Sequence, residues 1–465
     1  MRPTLSGLCA VCGAAVLALA ARSESARAAP APDTAAAVER RTPPEEAWRV
    51  ADFDPTRYFR PAELRAWQEY GRSQRRVHLL GFALDLLFYL ALVLSPLAPW
   101  LLARCTSWAT GLGSRRPFAR GPLERLGRIP ARIFGPDWHA ALLFAFVIFG
   151  LGTLLNLPLA LWQEWLAQRA ELSIYTVPAW TLDTLRSLAL QLFLLGCLVF
   201  GLYGLIRRFP RRWWLALALP AALALVAYGF LEPSLPRLYH RVVPLEASKQ
   251  LTPAARAELR TRLDRLLRAR GLTLRSVKVI QTSRTSRAMN AYLVGLGRGR
   301  ELVLYDTLLG EATAEELEAA VAHELGHEHA RNDLVTYGLA SLALTALLWL
   351  LAAVLHRGSR WMGLSGPGHV ATLPLLGFTV WLVFALAQPV ISWRARSLER
   401  RADRIGLALT GNPEAYIRLQ VRLARRNRTE LSPPAWVRWW LSGHPSVQER
   451  IGTAQWYARW LRRPR

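Results

Sequence analysis

His323 and His327 stand four residues apart with Glu324 between them, in Val321-Ala322-His323-Glu324-Leu325-Gly326-His327. Upstream, Thr313-Ala-Glu-Glu316 has the form of a capping box, which predicts a helix that starts just before this H-E-x-x-H stretch. Positions four apart share a helix face, so the two imidazoles project side by side. Such a pair can grip a zinc ion, and Glu324 then sits where a carboxylate reaches a water acidified by the metal. The chemistry implied is peptide-bond hydrolysis, with zinc polarising the carbonyl and Glu324 taking the proton of the attacking water.

Two imidazoles do not complete a zinc site, so a third protein ligand must come from elsewhere. Arg396-Ser-Leu-Glu399-Arg-Arg-Ala402-Asp403 offers one, with Glu399 and Asp403 again four apart on a predicted helix. Glu399 suits a ligand, and Asp403 suits a hydrogen bond to the far nitrogen of a ligating histidine. The competing reading is a solvated Arg/Glu helix face, because Arg396, Arg400, Arg401 and Arg404 surround the two acids. Both motifs together, in this order, predict a single zinc ion per chain held by His323, His327 and Glu399.

The elements that must position these residues are those of a membrane protein. Of 465 residues, 52% are hydrophobic, and six stretches are long enough to cross a bilayer core: 79–103, 140–162, 181–206, 213–231, 334–355 and 370–393. Asp85, Asn156, Asp183 and Arg186 fall at or near membrane depth, where polar groups face a bundle interior or a watery cavity. The alternative for them is interfacial caps and ordinary helix kinks. The formal net charge of +26 is nearly all arginine, spread beside the apolar spans. That layout fits anionic lipid headgroups and excludes nucleic acid as the partner. Cys9, Cys12, Cys105 and Cys197 lie in or beside apolar segments without metal-ligand spacing, so no disulfide framework is implied.

Residues 1–28 read as a signal peptide or an N-terminal anchor, and 29–76 as an exported tether ending in a short amphipathic helix at 45–76. Residues 77–243 form an N-terminal transmembrane region. Residues 244–465 form a metallopeptidase domain that includes the spans 334–355 and 370–393. Within the soluble block 232–333, Thr252-Pro253 opens a helix that Gly271 closes, and short strands are predicted at 277–281, 290–296 and 302–305. The loop 104–138 carries seven arginines and 207–212 four, whereas 163–179 has Arg169 against Glu164 and Glu171. The positive-inside rule therefore places the first two in the cytosol and both halves of the zinc site on the extracytoplasmic side.

With these residues in hand, the chain resembles the type I CAAX prenyl proteases, integral-membrane zinc endopeptidases, and their bacterial relatives. The resemblance runs from about residue 139 to 455. It rests on Leu157-Pro-Leu-Ala-Leu-Trp162, on 235–246, on Ser286-Arg-Ala-Met-Asn290-Ala291-Tyr292, and on Leu302-Val-Leu-Tyr-Asp306. Ala322-His-Glu-Leu-Gly-His327, Glu399-x-x-Ala402-Asp403 and His444-Pro445 with Glu449-Arg450-Ile451 complete it. It implies a mainly α fold, a helical barrel of membrane spans around a chamber with a zincin-like domain and a small β-sheet. It implies that His323, His327 and Glu399 are ligands and Glu324 the general base and acid. It further implies that His444 donates to the oxyanion, and that Asn290 and Ala291 sit on an edge strand where substrate adds as a further strand. Three departures stand out: Ala395 where the family carries serine, Arg400 where it often carries an aromatic residue, and Asn332 where eukaryotic members carry histidine.

The function this predicts is a membrane-embedded zinc metalloendopeptidase acting on membrane-associated proteins or peptides. Within enzymes the alternative is a quality-control protease for membrane proteins. Outside them it is a catalytically silent membrane scaffold or a transporter, which would leave the four metal-motif residues without purpose.

Overall fold

The computed structural model describes residues 38, 41–44, 53–114, 138–238, 240–330 and 333–463. The expected leader at 1–28, most of the tether and residues 115–137 of the arginine-rich loop lie outside them. Among the described residues, six helices are long and apolar enough to cross a membrane. No more than 33% of the apolar stretch of any of them is buried inside the protein, so these helices do not pack into a solid core.

Helix α1 (Pro61–Leu94) starts with proline in its first turn, and Arg60 N donates to Glu63 Oε2 at 2.8 Å. From Pro61 onward the amphipathic helix expected at 45–76 continues into the first span as one helix of 34 residues, while 45–52 lie outside the described residues. The span expected at 79–103 ends at Leu94. Pro96 disfavours helical backbone at Ser95, which is extended (φ −122°, ψ 167°), and α2 (Leu97–Ser114) starts as a separate helix. Ala98 and Cys105 of α2 are buried against Phe144, Ala145, Val199 and Tyr203 of the helices α3 (Trp138–Arg169) and α4 (Val177–Arg208). Helix α5 (Trp213–Leu231) then leads to the soluble block.

That block holds a four-stranded sheet in the order β1-β2-β4-β3, with β1 at Val242–Pro244, β2 at Ser276–Ile280, β3 at Ala291–Val294 and β4 at Glu301–Tyr305. Strands β2 and β4 run parallel, while β1 and β3 are antiparallel edges. Strand β1 lies outside the strands expected from the sequence, being only three residues long and paired to β2 through Val242–Ile280. Between β1 and β2 lies α6 (Pro253–Arg270), whose Thr252 cap accepts from Ala255 N and whose end is Gly271 in the left-handed region (φ 59°). Asp306 is buried at the start of α7 (Asp306–Glu311) and accepts from the backbone N–H groups of Thr282 and Ser283, fixing the loop after β2.

Helix α8 (Ala314–Ala330) carries the H-E-x-x-H stretch, and its capping box is formed: Thr313 N donates to Glu316 Oε2 and Glu316 N to Thr313 Oγ1. Helices α9 (Asp333–Trp361) and α10 (Leu373–Thr410) follow, then α11 (Pro413–Arg426), α12 (Ala435–Trp440) and α13 (Val447–Leu461). The soluble core joins Leu259, Leu263, Val279, Leu304, Val321, Leu325, Leu407, Tyr416 and Tyr457. It therefore spans α6, the sheet, α8, the end of α10, α11 and α13.

Two contacts fix how the membrane part meets this domain. The loop after α3 docks on it, with Ile174 N donating to Thr285 O and Arg287 N to Leu172 O. Conversely, Arg207 Nε donates to Gly368 O, so the 207–212 and 362–369 loops share the opposite end of the bundle.

Candidate active site

The site is built where two helices cross. Helix α10 runs 38 residues, about 57 Å at 1.5 Å per residue, so it outlasts the bilayer and carries Arg396, Glu399 and Asp403 into the soluble domain. All three are buried there. The solvated-face reading therefore does not describe this helix. Helix α8 packs along it at very short range, because Gly326 and Ala402 face each other. A Cβ on Gly326 would lie 2.6 Å from Ala402 O, and one on Gly406 3.0 Å from His323 N.

That approach places His323 Nε2 3.4 Å from Glu399 Oε2, and His327 Nε2 3.3 Å from Glu399 Oε1. One ligand atom from each of the three residues lies within 4.8 Å of the others. Their chemistry, two imidazoles and a carboxylate, suits zinc. Glu399 Oε2 is buried without a hydrogen-bond donor, although His444 Nδ1 lies 2.9 Å away. An orphaned buried carboxylate oxygen is costly, and a cation among these three groups satisfies it. The residues fit a metal ion.

The other face of His323 is held by Asp403, whose Oδ1 lies 2.8 Å from Nδ1. Asp403 in turn is clamped by Arg450, with Nη2 donating to Oδ1 at 2.6 Å and Nε to Oδ2 at 3.0 Å; Nε also donates to Tyr416 OH. Burial opposes charge on His323, but the Asp403 carboxylate outweighs it and the metal-free imidazole is pushed up to about 10. Burial pushes the Glu324 carboxyl above the usual carboxylate range, with the charges of His323 and His327 pulling back in part. A raised carboxyl is what proton shuttling near neutrality needs.

A cleft of about 450 Å³ opens over these groups, lined among others by Asn290, Ala291, Tyr292, His444 and Asn427. Asn290 is exposed; its Oδ1 accepts from Ala291 N, and its carbonyl accepts from Tyr305 N. Antiparallel alternation then turns the backbone groups of Ala291 and Leu293 away from β4, to the open edge. His444 is 71% exposed at the side chain and hangs over Glu399. Arg396 Nη1 donates to Ser442 O at 2.6 Å, tethering the segment that presents it. The structure thus brings together His323, Glu324, His327, Glu399, Asp403, Asn290, Ala291 and His444, whereas the polar residues expected at membrane depth lie elsewhere, Asn156 donating to Asp85 and Arg186 to Asp183.

Sequence reasoning missed the roles of five positions. Arg450 was visible only as part of a motif, with no hint that it grips Asp403. Asn427 pairs with both backbone groups of Met289, accepting from its N–H and donating to its carbonyl, and so pins the start of β3. The small residues Gly326, Ala402 and Gly406 set the helix spacing; Ala402 and Gly406, four apart, were the available signal.

A helical membrane barrel with this donor set at the foot of a long span defines a class, the membrane-embedded metalloproteases. Residues 51–235 match the family model described as CAAX prenyl protease N-terminal, five membrane helices, and residues 253–457 match that of Peptidase family M48. The uncharacterized metalloprotease YhfN of Bacillus subtilis is 28% identical over 424 residues, 88% of this chain and 89% of that one. CAAX prenyl protease 1 of Saccharomyces cerevisiae is 24% identical over 332 residues, 67% and 71% of the two chains. The fold is similar to the crystal structure of S. mikatae Ste24p, with a TM-score of 0.69 over 98% of this chain and 100% of that one at 18% identity. The chain belongs to the CAAX prenyl protease-like membrane metalloproteases of family M48.

Proposed function

We propose that this multi-pass membrane metalloprotease is a zinc endopeptidase whose ligands are His323, His327 and Glu399, and that it cleaves extended segments of membrane-associated proteins or peptides. The observation that carries the ligand set is the convergence of one ligand atom from each of His323, His327 and Glu399, all within 4.8 Å of one another, at a buried carboxylate. Zinc in that set polarises a carbonyl and acidifies water.

The remaining work falls to the chain's own residues. Asp403, locked by Arg450, accepts from His323 Nδ1 and thereby fixes the tautomer that leaves Nε2 free. Glu324, its carboxyl raised by burial, takes a proton from the attacking water and returns it to the leaving amine. Substrate lies extended along the open edge of β3, against Asn290 and Ala291, with Asn427 keeping that edge in place. His444 donates to the oxygen that gains charge as the carbonyl is attacked. The arginine-rich 104–138 and 207–212 loops favour an active site opening on the extracytoplasmic side.

Glu324→Gln should keep the metal and lower peptide cleavage by about 10²- to 10⁴-fold. Glu399→Ala should lose the metal, read by elemental mass spectrometry of purified protein. Cleavage at wild-type rate in Glu324→Gln, or full metal content in Glu399→Ala, would overturn the assignment.

A further inference from the structure

A second cavity lies apart from the active-site cleft. It measures about 680 Å³ and lies between α1 and α10 at the end of the bundle nearest the soluble domain. Its walls are Leu79 and Phe82 of α1 and Trp381 and Phe384 of α10, and Trp436 and Trp440 of α12 roof it. The rings of Phe82 and Trp381 lie 4.7 Å apart, and Trp440 meets Phe82 edge-on at 5.7 Å. They line the space without filling it. Leu79, Phe384 and Trp436 are 46%, 56% and 42% exposed, so the cavity opens sideways where the bilayer lies.

Its upper rim is polar and basic. Gln74, Arg75 and His78 border it, Arg75 is ion-paired with Glu430, and Arg72 and Arg76 are exposed on the same helix. Water would find few partners against the aromatic walls, whereas a bilayer offers an apolar chain at that depth and a headgroup at that rim. We propose that this groove is a binding site for one phospholipid with an anionic headgroup, its acyl chain between α1 and α10 and its phosphate at the Arg72–His78 rim. The volume lies in the range of about 300–1,000 Å³ that small-molecule sites occupy.

The site has a route to the catalytic segment. Ser392 Oγ donates to Trp440 O at 2.8 Å, and Arg396 donates to Ser442 O, two residues before His444. A lipid seated under Trp440 thus braces the segment that presents His444. The binding site itself is independent of which residues hold metal.

The test is photocrosslinking in proteoliposomes, using phosphatidylglycerol with a diazirine in its acyl chain and the same probe with a choline headgroup. Cross-links should concentrate on the peptides containing Phe82 and Trp381–Phe384, several-fold more with the glycerol headgroup. Ala385→Trp, which fills the groove, should cut them about tenfold while leaving those at Leu154 and Phe193 unchanged; Arg72→Gln combined with Arg76→Gln should reduce the headgroup preference alone. Unfolding midpoints and metal content report whether each variant is folded. Cross-links spread evenly over the exposed spans, unaffected by either variant, would mean annular lipid only and overturn the proposal. So would labelling of the groove by a lipid-modified peptide but not by phospholipid.

Discussion

His323 is gripped at both ring nitrogens, by the Glu399 carboxylate on one side and by Asp403 on the other. In the metal-free protein this keeps the imidazole protonated up to about pH 10, far above the ordinary histidine value of about 6.5. A folded-state pKa above the unfolded one means the contact stabilises the metal-free fold fully below pH ~6.5 and loses that contribution as pH rises through about 10. Metal binding needs the neutral ring, so zinc uptake at pH 8 should release about one proton, and apparent affinity should climb with pH up to about 10. Calorimetry in two buffers of different ionisation enthalpy measures the released proton; none released would show that His323 is already neutral. The identity of these residues was legible in the sequence, since two imidazoles at i and i+4 carry their meaning locally. Arg450 was not, because one arginine among many is distinguished only by what it touches.

At the scale of elements, the decisive feature is how close α8 comes to α10. A helical glycine replaced by alanine gains up to about 1 kcal/mol of helix propensity, while forcing a methyl into a packed interface costs roughly 1–3 kcal/mol. At Gly326 the obstruction is Ala402 backbone at 2.6–2.8 Å, which no side-chain rotation relieves. Gly326→Ala should therefore lower the unfolding midpoint and weaken metal retention against a chelator, because pushing the helices apart separates His323 and His327 from Glu399. Gly406→Ala, facing His323 backbone at 3.0–3.1 Å, should do so less. A Gly326→Ala protein as stable as wild type would remove the close approach as a constraint. The helices themselves were readable from local signals: the Thr313–Glu316 box, the Thr252 cap and Gly271 all stand where expected. The 79–103 span was not, because hydropathy runs on through Ser95-Pro96 while backbone stereochemistry does not.

Over the whole molecule, α10 links the bilayer to the catalytic groups as one rod, and the docking of the 170–174 segment on the soluble domain sets the ends of the bundle apart. Asp264 on α6 and Ser365 beyond α9 are exposed at these opposite ends. With the arginine-rich loops in the cytosol, a membrane-impermeant maleimide should label Asp264→Cys in intact cells and Ser365→Cys only after lysis. The reverse pattern would place the active site in the cytosol.

Short stretches of the chain were enough to reveal its metal motif and its membrane spans. Metal-motif spacing, caps and apolar length are properties of short stretches, and they hold wherever those stretches fold. Tertiary structure alone decided that Gly326 meets Ala402, that Arg450 locks Asp403, that Asn427 pins β3, and that α1, α10 and α12 enclose a second cavity. Each of those contacts joins residues far apart along the chain, and their meeting depends on how helices pack, which no local periodicity encodes.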